Sequence, residues 1–133
     1  MNPLILAYFF TVLIFVAIDM IWLLWLGRPF YVAEIGGLMR TNPNLAAAVA
    51  FYLLYSVGVV YFAVNGAVQS GNASQALLQG AMLGLIAYGT YDLTNLAVIN
   101  GFTLKIALID LAWGTVLTAA VSWLVSRICL AIV

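Results

Sequence analysis

The chain has 133 residues, and only eight of them are charged: four Lys or Arg, and four Asp or Glu. Hydrophobic residues make up 67 %, whereas soluble domains have about 45–50 % apolar and about 25 % charged residues, so a soluble globular protein and a disordered chain are both excluded. A net charge of zero gives no electrostatic basis for binding nucleic acid. The composition therefore predicts an integral membrane protein that has the lipid bilayer as its partner.

Four apolar stretches are long enough to cross a bilayer, whose apolar core requires about 20 residues per helix. They cover about residues 4–26, 44–66, 76–99 and 104–130. The first stretch is not typical of a cleaved signal peptide, because it has no basic start and it contains Asp19. We predict an all-α fold with a single transmembrane domain, residues 1–133, in the form of an integral membrane four-helix transmembrane bundle.

The connection from Gly27 to Pro43 is the one long loop in this pattern. It mixes aromatic, aliphatic and charged residues, with Pro29 near its start and two glycines at 36–37. Such a mixture favours a short interfacial helix that lies along the membrane surface. The other two connections, Ala67 to Gln75 and the pair at 100–101, are predicted to be turns.

Basic residues near the ends of the helices predict the orientation of the chain. Arg28, Arg40 and Lys105 fall on one side of the predicted bundle, and Arg127 falls on the other. Because short cytoplasmic loops carry an excess of Lys and Arg, we place the first three in the cytoplasm and both termini outside. The difference is small, so insertion in both orientations, with antiparallel dimers, is an alternative.

Three of the four acids lie inside predicted helices: Asp19, Asp92 and Asp110. A charged side chain at a helix centre costs about 2.5–3.5 kcal/mol on insertion scales. Counted from the helix ends at about 1.5 Å per residue, all three lie roughly 9–12 Å from the cytoplasmic side. Carboxyls this close cannot all stay ionised in a low dielectric, so we expect at least one to be protonated at neutral pH.

Polar and aromatic residues share the helix faces that carry these acids. Trp22 follows Asp19 by three positions, and Trp113 follows Asp110 in the same way. The third helix also presents Tyr88, Tyr91 and Asn95, and the second offers Tyr52 and Tyr55 as hydrogen-bond donors. Gly80 and Gly84 predict a close helix contact. Four other aromatic residues fit a belt at the lipid interface: Trp25, Tyr31, Tyr61 and Trp123.

Two strings in the second half of the chain carry a family resemblance. They are Tyr88-Gly-Thr-Tyr-Asp92-Leu-Thr-Asn95-Leu-Ala97 and Ile109-Asp110-Leu-Ala-Trp113-Gly-Thr115. Together with Phe51-Tyr52-Leu-Leu-Tyr55-Ser-Val-Gly58 and Tyr31, they resemble the bacterial membrane proteins of domain-of-unknown-function family 2177. The positions that match the family motif are Tyr91, Asp92, Thr94, Asn95, Asp110, Trp113 and Gly114. The resemblance implies a multi-pass protein of the bacterial inner membrane and says little about mechanism.

The set of candidate residues favours a site for a proton, a cation or an amine, in a pocket open toward the cytoplasm. The predicted set is Asp19, Asp92, Asp110, Asn95, Tyr88, Tyr91, Thr94, Trp22, Trp113, Tyr52 and Tyr55. Binding or transport is the leading prediction. One alternative is a non-catalytic accessory or assembly subunit of a larger membrane complex, or a homo-oligomer. Another is a membrane enzyme that acts on a lipid.

The enzyme alternative has less support, because the sequence contains no nucleophile–base pair and no metal motif. We predict no catalytic residue, no metal site and no cofactor. The chain has no His, the commonest ligand of zinc and of haem iron. Its single Cys129 cannot form an intramolecular disulfide. A hard cation held by the three Asp carboxyls and Asn95 is a weaker alternative.

Overall fold

Six α-helices account for most of the chain in the computed structural model, which describes residues 2–132. Across this range there is no strand, so the prediction of an all-helical protein is confirmed. The helices are α1 (Pro3–Ile21), α2 (Arg28–Ile35), α3 (Leu45–Val59), α4 (Asn65–Ser70), α5 (Ser74–Val98) and α6 (Leu104–Ile132).

Two π-helical turns lengthen the helices. One turn, Trp22–Leu26, continues α1, and the other, Val60–Val64, joins α3 to α4. The second helical stretch therefore runs to Ser70, four residues beyond the predicted end at Gly66. It ends at Gly71, whose positive φ of 71° favours glycine. The predicted turn from Ala67 to Gln75 is correspondingly shorter in the structure.

Three helical stretches are long and apolar enough to cross a membrane: Pro3–Leu26, Leu45–Ser70 and Leu104–Ile132. Helix α5 has 25 residues, but its glutamines and its polar residues near Asp92 lower its mean hydropathy. A fourth crossing by α5 and an interfacial position for α2 both remain predictions.

Helices α5 and α6 form the most closely packed pair, and small residues make this contact possible. Gly84 lies against the carbonyl oxygen of Gly114 and the side chain of Thr118, and Gly80 lies against Ser122. A methyl group at either glycine would overlap these neighbours. The close approach predicted from the two glycines is confirmed.

Helix α2 folds back onto the start of α6. Tyr31 and Ile35 pack against a small core around Ile106. The Thr103 hydroxyl donates to Glu34 Oε1 at 2.8 Å and accepts from the Ile106 amide at 3.2 Å, so it joins the loop helix to the first turn of α6. The first loop is thereby fixed against the bundle.

Helix α3 diverges from α5. The second helical stretch makes its main contacts with α5 through the π-helical turn Val60–Val64, whereas α3 itself packs mainly on α1. A gap therefore opens between the first half of α3 and the second half of α5. The gap lies toward the end of the bundle that carries the long loop.

Candidate functional site

A cavity of about 430 Å³ occupies the gap between α3 and α5. Helices α1, α2 and α6 and the first π-helical turn complete its wall. Eleven residues line it, and six of them are aromatic: Asp19, Leu23, Tyr31, Ala48, Phe51, Tyr52, Ala87, Tyr88, Tyr91, Asp110 and Trp113. The lining combines a mostly apolar surface with two carboxyl groups.

Asp19 lies at the wall of this cavity with only 5 % of its surface exposed. Its Oδ2 accepts a hydrogen bond from the Tyr52 hydroxyl at 2.7 Å, and its Oδ1 accepts one from Trp113 Nε1 at 3.0 Å. Both donors are neutral, and they come from α3 and α6. Asp19 therefore ties three helices together without any positive charge to balance its carboxylate.

Asp110 receives its hydrogen bond from the loop helix. The Tyr31 hydroxyl donates to Asp110 Oδ1 at 2.6 Å and accepts from Trp22 Nε1 at 2.9 Å. Burial raises the pKa of the Tyr31 phenol above its ordinary value, and the nearby Asp110 carboxylate raises it further. Tyr31 therefore stays protonated at physiological pH and remains a donor.

The two Asp-x-x-Trp tetrads contact each other crosswise. Trp113, which follows Asp110, donates to Asp19, whereas Trp22, which follows Asp19, reaches Asp110 through Tyr31. The chain directions of α1 and α6 are opposite, so Trp113 lies deeper in the bundle and Trp22 nearer the loop. The two indoles stack with centroids 4.4 Å apart and an interplanar angle of 10°.

The indole of Trp22 also depends on a glycine. Gly27, directly after the π-helical turn, packs against this ring so closely that a methyl group there would overlap it. The Gly27 amide donates to the Trp22 carbonyl at 2.7 Å, a bond that spans five residues. The π-helical geometry thereby sets the position of Trp22 beside the cavity.

Asp92 lies behind the cavity wall. Its side chain is fully buried, at 0 % exposed, and neither of its carboxyl oxygens has a conventional hydrogen-bond partner. Its carboxyl faces that of Asp110 across the α5–α6 contact. No Lys or Arg nitrogen lies within 4.0 Å of an acidic oxygen among residues 2–132, so the buried Asp19 and Asp92 and the half-buried Asp110 all lack a basic partner there.

The structure brings together six of the eleven predicted site residues at the cavity surface: Asp19, Asp110, Tyr52, Tyr88, Tyr91 and Trp113. The other five do not line it. Trp22 lies behind the lining and donates a hydrogen bond to the hydroxyl of Tyr31. Tyr55 shares a hydrogen bond of 2.9 Å with Thr118. Asn95 is half-buried and Thr94 is exposed, and neither is among the lining residues.

The position of Tyr31 differs from the one that the sequence predicts. The sequence favours a place in the aromatic belt at the lipid interface, but the structure places Tyr31 at the cavity, where its hydroxyl donates to Asp110. A tyrosine in an amphipathic loop helix fits both positions, because only the fold of α2 onto α6 decides between them. The sequence also does not predict four apolar lining residues, because apolar residues in apolar helices carry no distinguishing signal. They are Leu23, Ala48, Phe51 and Ala87.

The lining determines what the cavity can hold. Two carboxyls in an aromatic enclosure suit a positively charged group with an apolar part, because aromatic faces and carboxylates both attract cations. Within the described range, no three Cys, Asp or Glu side chains are arranged to hold a metal ion. A hard-cation site built on three Asp carboxyls therefore has no support in this geometry.

Comparison with known proteins places the chain in one family. The family model described as "Predicted membrane protein (DUF2177)" matches residues 4–126. No curated protein and no solved structure matches the chain. The matched range includes the strings on which the resemblance was based, and it confirms that resemblance.

Proposed function

Because the chain belongs to the DUF2177 family of predicted membrane proteins, we propose a function inside the bilayer: binding of an organic cation or amine, as the first step of its transport. The charge-bearing groups in this proposal are Asp19 and Asp110. The aromatic residues around them form the apolar part of the site. Asp92, in α5, lies outside the contact surface of the ligand.

One observation carries the proposal: two carboxyls line an aromatic cavity without a basic residue beside them. Burying a carboxylate in a membrane is costly, and interhelical polar contacts return on average only about 0.6 kcal/mol. A role in fixing the helices alone does not offset that cost. A bound cation supplies the missing positive charge, and a volume of about 430 Å³ is within the range of small-molecule sites, roughly 300–1,000 Å³.

The shape of the gap indicates an amphiphilic ligand. Tyr91 is 58 % exposed and Phe51 is 42 % exposed at the rim between α5 and α3. In a bilayer this rim faces lipid tails if both helices cross the membrane. We therefore expect the ligand to enter from the membrane. Its charged group then contacts the carboxyls, and its apolar part lies along the rim.

The proposal includes the placement of the chain in the membrane. We propose that α5 forms a fourth crossing, supported by its 25-residue length and its close packing against α6. Helix α2 then lies at the cytoplasmic interface, near Arg28, Arg40 and Lys105. Both termini lie outside, in a multi-pass protein of the bacterial inner membrane.

The proposal can be tested with a permanently charged probe and its neutral isostere. We expect purified protein in lipid nanodiscs to bind benzyltrimethylammonium more tightly than neopentylbenzene, in which carbon replaces the nitrogen. The variants Asp19→Asn and Asp110→Asn should each weaken binding of the cation at least tenfold, which corresponds to about 1.4 kcal/mol.

Glu34→Gln is the matched control, since it removes the fourth acid of the chain without touching the cavity lining. Equal affinity for the cation and for the neutral isostere would contradict the proposal. So would unchanged binding in both of the Asp→Asn variants.

A further inference from the structure

Asp92 is the buried group that cation binding at the cavity surface leaves without a role. It is fully buried in α5, and both of its carboxyl oxygens lack a hydrogen-bond partner in the described structure. An unpartnered buried carboxylate is strongly disfavoured, and such groups ordinarily bind a proton, a cation or a donor. The Asp92 carboxyl therefore requires a hydrogen-bond donor or a positive charge. The neighbouring side chains provide neither as long as the neighbouring carboxyl is ionised.

In the antiparallel contact of α5 and α6, Gly84 meets Gly114 and Gly89 meets Leu111, and this register brings Asp92 beside Asp110. Two carboxylates both accept hydrogen bonds, so they cannot bond to each other. When one of them carries a proton, the same contact becomes a short O–H···O⁻ hydrogen bond between carboxyls, which is among the stronger hydrogen bonds in proteins. A single proton therefore satisfies Asp92 and halves the negative charge of the pair.

The other titratable groups around the pair are acids and phenols. Asp92 is also near Tyr91, the preceding residue of its own helix. Asp110 is bonded to Tyr31 of α2 and is near Asp19 of α1 and near Tyr88 and Tyr91 of α5. None of these groups is positively charged, so a proton is the available counter-charge in the absence of a ligand.

We propose that Asp92 and Asp110 share one proton, and that a cation bound at Asp110 displaces this proton, so that the cavity exchanges one cation for one proton. The second part rests on the proposed function, and the first part does not. Asp92 acts as a positioning residue and proton holder behind the site, because Asp110 is the one member of this pair that lines the cavity.

The exchange leaves the charge of the site unchanged. The O–H bond of the protonated carboxyl breaks, its electron pair stays on the carboxylate oxygen, and the proton leaves through the cavity to water. The bound cation supplies one positive charge in place of the proton. When the cation leaves, the pair takes up a proton again, because neither carboxylate has another source of positive charge.

Infrared spectroscopy tests the shared proton without any ligand. At neutral pH the wild-type protein should show the C=O stretching band of a protonated carboxylic acid. The difference spectrum of wild type minus Asp92→Asn should contain this band, because the side-chain amide introduced at position 92 donates to an ionised Asp110 in place of the proton. The difference spectrum of wild type minus Glu34→Gln should not contain it. Absence of the band from the Asp92→Asn difference would overturn the proposal.

Proton release tests the exchange. Benzyltrimethylammonium has no dissociable proton, so any proton released on its binding comes from the protein. In weakly buffered solution with a pH indicator, the wild type should release about one proton per cation bound, and Asp92→Asn should bind the cation with no release. Binding by the wild type without release overturns the exchange. If the wild type shows no binding, the proposed function fails, and the infrared result still decides the shared proton.

Discussion

At the residue scale, the Tyr31 hydroxyl connects the loop helix to the charged part of the cavity. It donates to Asp110, which lies 79 positions further along the chain, and it accepts from Trp22, only 9 positions before it. A phenol is suited to this position because it is both donor and acceptor. Its raised pKa keeps it in the donating form.

We predict that Tyr31→Phe destabilises the protein by about 1–3 kcal/mol, because it leaves the Trp22 N–H and an Asp110 oxygen without their partner. The measurement is the free energy of unfolding in a mixed-micelle denaturant titration. Tyr61→Phe is the control, since Tyr61 is 71 % exposed and lies outside the cavity. An equal effect of the two substitutions would contradict the role assigned to the Tyr31 hydroxyl.

The acids could be predicted from the sequence, whereas Tyr31 could not. A charge inside an apolar stretch is conspicuous, since its burial cost requires an explanation. The depths of Asp19 and Asp110 followed from counting residues along each helix, and both side chains do reach the cavity. The position of Asp92 behind Asp110 depends on the rotation of α5 against α6, which a one-dimensional pattern does not specify.

At the element scale, the contact between α5 and α6 depends on glycines where the backbones approach most closely. Gly84 meets the Gly114 carbonyl, and Gly114 in turn leaves room for the ring of Tyr88. These two contacts hold Tyr88 in the wall of the cavity. The shape of the site therefore depends on how closely α5 and α6 pack.

We predict that Gly84→Ala destabilises the bundle by about 1–3 kcal/mol through overpacking. The control is Gly58→Ala in α3, where no neighbouring atom lies within 4 Å of the added carbon. That substitution should be neutral or mildly stabilising, since alanine favours helix. Thermal unfolding in the same detergent measures both variants. A larger loss for Gly58→Ala than for Gly84→Ala would contradict the packing described here.

The helices themselves were predictable because a long apolar stretch leaves few alternatives to a helix in a membrane. The π-helical turns could not be predicted. Each contains one extra residue, and the packing of side chains decides where that residue is accommodated, whereas the hydrophobic periodicity of the sequence does not reveal it. The turn Val60–Val64 carried the second helical stretch beyond its predicted end. The turn that begins at Trp22 fixes the indole of this residue against Gly27, Tyr31 and Trp113. The spacing of residues along the sequence does not predict these contacts.

At the scale of the whole molecule, the number of crossings decides where the loops lie. Three stretches meet the length and composition of a membrane span, and α5 supplies the proposed fourth. With four crossings, the turn around Asn72 and the turn around Asn100 lie on opposite faces of the membrane. With three, they lie on the same face.

We predict that Asn72→Cys is labelled by a membrane-impermeant maleimide in intact cells, whereas Asn100→Cys is labelled only after the membrane is opened. Both variants would be made in a Cys129→Ser background, which removes the single native thiol of the chain and serves as the unlabelled reference. Complete labelling of both positions from the same face would rule out a crossing by α5. The reverse pattern would retain the four crossings and invert the orientation.

The rim between α3 and α5 has a consequence for selectivity. A ligand that enters along this rim displaces an acyl chain and not water, so the hydrophobic effect contributes little to its affinity. Aliphatic contacts that it gains from the wall resemble those that it leaves in the bilayer. Discrimination among amphiphiles then depends on the carboxyls and the aromatic faces, and the occupancy of the site should follow the mole fraction of the ligand in the lipid.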